Sequence, residues 1–430
     1  MKWKWLVFGL LVLSVIAHGW KAAKTEALSD PTYGNIKAYL RSAECARTTG
    51  KILVFCDGTQ VRPIAEINAA DDPGHALFLD VYSALSGNPI DYTDVPVLNA
   101  LINAFGIFAL AGLLVWLRLP LIAITFLALA PIASGHYLLF SQHTAQFGGA
   151  CLAMIPALVI LTTSPFDKRN AAIAWLVAAV AALALASLLR QAIGLMGLVA
   201  AVCALTYKVL TVPRTLRHLA FYVIVLGALL VSYQAPLLVF TLRNFAYDLA
   251  PSGQMETHGI WHNLYIGLGV VGNPFGIIWD DTNGFEHARA IDPNVKYISK
   301  HYYDVLRDAY FDLVAQHPFT VARIYAEKLL YAIVRDKVWI MLILSVIPAI
   351  HLRRAIRTQR LGNIDAVFAI SGLFVCFFFG QAALFHWSMG YRFPITISFI
   401  LMLGISIDIL VRRRMHAVTA ATERTGASAS

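Results

Sequence analysis

Apolar windows of about 20 residues, long enough to cross a hydrocarbon core as a helix, recur through most of this chain. That feature sets the solvent in which the chain folds. Backbone polar groups in lipid must be satisfied within the segment, so such windows imply helices rather than loops or open sheet. Composition agrees: 58% of the 430 residues are hydrophobic and 14% charged, against about 45–50% and about 25% in soluble domains. An ordinary soluble enzyme is excluded. A disordered chain is excluded too, because disorder needs low hydrophobicity, and five cysteines are too few for a disulfide framework. The net charge of +9 reads as loop charge of a membrane protein, not as a nucleic-acid footprint.

The pattern predicts an all-α membrane protein of about ten transmembrane helices, with spans at 5–16, 96–117, 120–140, 148–163, 171–189, 191–207, 219–242, 338–352, 364–384 and 393–410. Residues 1–20 form a first helix or signal anchor, read as uncleaved because the small-residue cleavage pattern is poor. Fifteen Lys and Arg, from Lys2 and Lys4 through Arg118, Lys168, Lys208 and Arg353 to Arg414, collect on one side, and only Arg190 and Arg392 lie in short turns on the other. The positive-inside rule then makes both termini cytoplasmic. It also places two large loops with amphipathic helices, 21–95 and 243–337, on the outer face, between helix groups 96–242 and 338–411; residues 412–430 read as a disordered cytoplasmic tail. Cys45 and Cys56 share the first outer loop, where an oxidising compartment would let them pair; two free thiols are the alternative. Cys151, Cys203 and Cys376 read as small apolar residues within spans.

Candidate chemistry concentrates in the outer loops. Asp71-Asp72-Pro73-Gly74-His75 opens an apolar-periodic run that Gly87-Asn88-Pro89 closes, so Asp72 reads either as a helix cap or as a general base toward an incoming hydroxyl. Asp71 is its rival, or a second carboxylate for a divalent cation, and His75 a substrate ligand on the same helix face. The second loop carries Glu256, His258, Trp261, His262 and Tyr265 among closely spaced glycines, which suits a segment dipping into the membrane surface. Glu256, His258, Trp261 and His262 are candidate substrate contacts. His258 and His262 stand at i, i+4 but lack the further ligands of a metal site. Asp280-Asp281-Thr282-Asn283-Gly284 reads as an acidic turn. Residues 301–316 and 319–334 read as amphipathic helices broken at His317-Pro318, whose Arg307, Arg323 and Lys328 belong to a solvated or interfacial face. Arg190 and Arg392, cations with no topogenic reason to be outside, are candidate phosphate ligands, Arg392 together with Tyr391. No Walker-type loop or zinc pattern occurs, and Gly267-Leu268-Gly269-Val270-Val271-Gly272 lacks the strand–helix context of a dinucleotide site.

These features together resemble the GT-C class of integral membrane glycosyltransferases, in the bacterial branch related to protein O-mannosyltransferases and the aminoarabinose transferase of lipid A. The resemblance rests on a first helix followed by an outer loop with the acidic pair Asp71-Asp72, on its continuation toward Gly87 and the next span, on the amphipathic stretch Asp308-Ala309-Tyr310-Phe311-Asp312-Leu313-Val314-Ala315-Gln316-His317-Pro318, and on Tyr391-Arg392-Phe393-Pro394 before the last span. It implies a bacterial inner membrane, a polyprenyl-phosphate-linked sugar as donor, and a glycan, lipid or protein acceptor. It also implies Asp72 or Asp71 as base, Arg190 and Arg392 on the lipid phosphate, and no organic cofactor, with a divalent cation left open. The competing expectations are a transporter or flippase, an O-antigen polymerase or ligase, and a non-catalytic envelope protein.

Overall fold

The computed structural model describes residues 2–25, 36–67, 73–139, 153–159, 161, 169–211, 215–250, 259–335, 338–357, 362–386 and 393–427. Nearly all of them are helical. The apolar helices are α1 (Lys2–Thr25), α4 (Asp94–Trp116), α5 (Pro120–Leu139), α6 (Arg169–Leu189), α7 (Gln191–Thr211), α8 (Leu216–Tyr233), α14 (Val338–Arg357), α15 (Asn363–Leu384) and α16 (Phe393–Ala427). Among the described residues, five stretches are long and apolar enough to cross a membrane: Asn170–Leu189, Gln191–Leu210, Leu216–Tyr233, Asn363–Leu384 and Ile395–Met415. Their inward faces join one core containing Leu110, Phe126, Leu183, Ile193, Val225, Phe374 and Ile405. Val177, Val223, Ile224 and Val231 stay exposed on their outer faces, an arrangement unfavourable in water and favourable in lipid.

Two smaller units sit on this bundle. The first comprises α2 (Ile36–Thr49), a hairpin of β1 (Val54–Asp57) and β2 (Gln60–Pro63), and α3 (Gly74–Ser86). The antiparallel hairpin pairs Val54 with Pro63 and Asp57 with Gln60, and Gly58 supplies the positive φ of its two-residue turn. A Cys45–Cys56 disulfide ties α2 to β1, which settles the open question of their pairing. As expected, α3 ends at Gly87, in the left-handed region with φ 68°.

The second unit follows α9 (Ala235–Tyr247) and contains α10 (Ile260–Gly267), α11 (Asp281–Ile291), α12 (Lys300–Gln316) and α13 (Pro318–Arg335). Its starts are written locally: the Ser299 hydroxyl accepts from Tyr302 N–H at 3.2 Å, the Asp280 carboxylate from Thr282 N–H at 2.7 Å, and Pro318 takes the first position of α13, where a missing N–H is harmless. Leu264, Ile266, Tyr302, Leu306 and Ile324 form its own core. The unit docks on the C-terminal end of α15, where a Cβ on Gly267 would meet the carbonyl oxygens of Leu384 and Phe385 at about 3 Å. Trp279 stacks there on His386 at 3.9 Å. The other end of α15 is tied to the bundle by Asn363, whose side chain donates to Leu117 C=O at 3.0 Å.

Several expectations are corrected. The 219–242 stretch is two helices that break at Gln234, because Pro236 has no N–H to continue the ladder and instead occupies the first turn of α9. The all-α expectation omits the hairpin, whose strands are only four residues each. Residues 412–427, expected to be disordered, continue α16, helped by an Arg412–Asp408 pair at i, i+4 and 2.6 Å. The acidic turn at Asp280–Gly284 is the capped start of α11.

Candidate functional site

Among the described residues, a connected polar cluster lies where α10, α11 and α12 converge. Helix α10 begins after Gly259, and a Cβ at Gly259 would stand 2.7 Å from the Tyr303 ring, so glycine is what lets the two elements meet. His262 then falls inside the unit, fully buried. Its Nδ1 lies 2.6 Å from the Tyr302 hydroxyl and its Nε2 3.0 Å from Asp281 Oδ1. A carboxylate can only accept, so in the neutral imidazole Nε2 carries the hydrogen and Nδ1 accepts from the Tyr302 O–H. Gly284 makes room for this pair: a Cβ there would stand 3.1 Å from the tyrosine oxygen and 3.4 Å from Nδ1. Burial, reinforced by neighbouring Tyr297, Tyr303 and Asp281, pushes the Tyr302 hydroxyl far above its ordinary range, so it stays a neutral donor. Tyr297, which hydrogen-bonds Asp281, is pushed up mainly by burial as well. The Asp281 side chain itself is 61% exposed, against 1% for His262. The cluster therefore presents an exposed carboxylate oriented by a buried histidine.

Two further groups surround it. Lys328 on α13 is fully buried, donates to Gly267 C=O at 2.9 Å and lies 5.3 Å from the Tyr325 ring centre. Burial lowers its pKa to about 7. This corrects the expectation of a solvated or interfacial lysine: position 328 faces the junction of α13 with α10. Arg307 is engaged by Asp304 and Asp308, both at 2.9 Å, rather than left to lipid. A cavity of about 530 Å³ is lined by Tyr265, Phe275, His287, Asp308, Asp312 and Gln316, with His287 stacked on Tyr265 at 4.7 Å.

The first unit carries a second constellation. His75 is buried in the first turn of α3 with its ring edge-on to Tyr39 at 5.4 Å, and does not lie on an exposed helix face. The start of α3 abuts the end of α6: a Cβ on Gly74 would fall 2.7 Å from the Leu188 carbonyl carbon and 2.9 Å from Leu189 N. Arg190 follows directly, at the break between α6 and α7, where its N–H donates to Ala186 C=O at 2.8 Å and its C=O accepts from Ile193 and Gly194.

Asp71, Asp72, Glu256, His258, Tyr391 and Arg392 lie outside the described residues. Because α10 starts only at Ile260, His258 and His262 share no described helix. Trp261 packs against Phe311 at 5.4 Å. Of the described candidates, the structure joins His262 to groups that sequence reading passed over: Asp281, Tyr297 and Tyr302. Asp281 was hidden in a stretch that reads as a turn, and Tyr302 in an amphipathic pattern. Among the described residues, no three His, Cys, Asp or Glu side chains come together as a metal site. No protein-family model, no curated protein and no solved structure matches this chain.

Proposed function

We propose that the chain is a multi-pass glycosyltransferase of the bacterial inner membrane, with about ten spans and both termini cytoplasmic. It moves a sugar from a polyprenyl-phosphate donor to an envelope glycan, lipid or protein acceptor at the outer face. The observation that carries this reading is the seating of α3 on the end of α6. Gly74 follows Asp71-Asp72 by two residues and Leu188 precedes Arg190 by two, so the contact links the segment bearing the candidate base to the turn bearing a candidate phosphate ligand. In the proposed reaction the carboxylate of Asp72 or Asp71 takes the acceptor hydroxyl proton, that oxygen forms the new glycosidic bond, and the sugar–phosphate bond breaks with its electron pair leaving on the phosphate. Arg190 and Arg392 stabilise the departing phosphate, so no nucleotide or redox group is needed.

The experiment is mass spectrometry of envelope glycolipids and polysaccharides from cells with no copy, the wild-type copy, or Asp72→Asn, with membrane levels checked by blotting. Loss of one sugar in the null that persists in a normally inserted Asp72→Asn supports transfer and identifies the donor. Restoration by Asp72→Asn removes Asp72 from the role of base and turns attention to Asp71 and to the 258–262 segment, where Asp281 meets His262. An unchanged glycan and precursor profile in the null would falsify the transferase reading.

A further inference from the structure

A cavity of about 490 Å³ in the first unit is lined by Lys37, Leu40, Arg41 and Glu44 of α2, by Tyr92, and by the Cys45–Cys56 bridge. The chemistry of its wall is lopsided. Lys37 and Arg41 stand at i, i+4, so both cations project from one helix face, opposite the face that buries Ile36, Tyr39, Ala43 and Ala46. Among the described residues the one carboxylate on the wall, Glu44, is already held by Arg47 through two hydrogen bonds, one of them 2.8 Å from Nε, and that guanidinium keeps its carboxyl below the usual range. Among the described residues Lys37 and Arg41 make no ion pair. Like charges at this spacing destabilise a helix. A cation at the start of a helix is likewise opposed by the helix dipole, and the first turn of α2, which bears Lys37, contains no acid. The Arg41 guanidinium is nonetheless held in place, 4.9 Å above the Phe55 ring, on a strand that the disulfide fastens to the same helix.

We propose that this groove is an anion site for a phosphate group, with Arg41 as the forked ligand, Lys37 as the second charge, and Leu40 and Tyr92 flanking whatever bears the phosphate. It is separate from the phosphate ligands of the transfer reaction and does not depend on that reading. The full chain, reconstituted in phosphatidylcholine nanodiscs, is labelled with an amine-acetylating reagent with and without inorganic pyrophosphate, and modification is read per lysine by mass spectrometry. Lys51, which lies over the Tyr247 ring, is the internal reference. A several-fold protection of Lys37 relative to Lys51, abolished in Arg41→Ala and partly kept in Arg41→Lys, supports the site; disulfide mapping verifies that each variant retains the Cys45–Cys56 bridge. Protection that appears only in nanodiscs containing phosphatidylglycerol also supports it and assigns the phosphate to a lipid headgroup. Equal Lys37 labelling under all conditions overturns the proposal, as does protection shared by Lys51 and by Arg41→Ala.

Discussion

Leu53 is a buried, non-glycine residue in the left-handed region, with φ 59°, a conformation that survives only where neighbours over-determine it. Its N–H donates to Asp80 Oδ2 at 2.6 Å and its C=O accepts from Arg243 Nη1 at 2.9 Å. Ser42 donates to the same Asp80 oxygen at 2.7 Å. Asp80 is buried, and desolvation outweighs these two hydrogen bonds, pushing its pKa up to about 7 from 3.8. The native state then holds an extra proton between these values, so stability falls as pH rises from about 4 to about 7, by on the order of 4 kcal/mol in all. Asp80→Asn keeps an acceptor for Leu53 and Ser42 but cannot titrate. Its unfolding curve should approach the wild type near pH 4 and become relatively more stable toward neutrality; parallel pH profiles for the two proteins would sink this account.

At the scale of elements, glycines decide which helices touch. Gly74 is closed in by the backbone of Leu188 and Leu189, whereas Gly87 has open space around its missing Cβ and a positive φ instead. Gly74→Ala therefore overpacks a contact made by backbone, which cannot rotate away, and is expected to cost about 1–3 kcal/mol and to lift α3 from α6. Gly87→Ala strains only a C-cap, at about 1–2 kcal/mol for a left-handed non-glycine residue. Hydrogen exchange over 74–86 distinguishes them: Gly74→Ala should accelerate exchange at both ends of α3 and in the last turn of α6, and Gly87→Ala only at the end of α3. Identical patterns would mean that the docking contact is not what holds α3. The helices themselves are legible in sequence, down to Pro318 and Gly87 as punctuation, because capping and turn chemistry are local. The docking contacts are not, since nothing in the order of residues pairs Gly74 with Leu188.

Across the whole molecule, Lys328 ties α13 to the end of α10 within the second unit, from a helix that also packs on α15 of the bundle. Its pKa is about 7 folded against 10.5 for the unperturbed group, so the unfolded state binds more protons between these values and stability rises with pH from about 7 to about 10. Lys328→Met should flatten that rise for the second unit, measured as exchange protection of 260–335 at several pH values. A rise that persists in Lys328→Met assigns it to another group.

The apolar character, most helix positions and the polarity of segments 21–95 and 243–337 were determined by the sequence alone, because apolar windows and helix punctuation act over 20 residues or fewer. Which polar groups meet was decided only by tertiary packing. Asp281, Tyr302 and His262 are up to 40 residues apart, and Lys328 reaches Gly267 across 61. Their burial follows from how α10 to α13 close around one core. A turn-like Asp281 and a surface-like Lys328 acquire their properties from desolvation and from a partner brought in by the fold, and neither exists until the chain has folded.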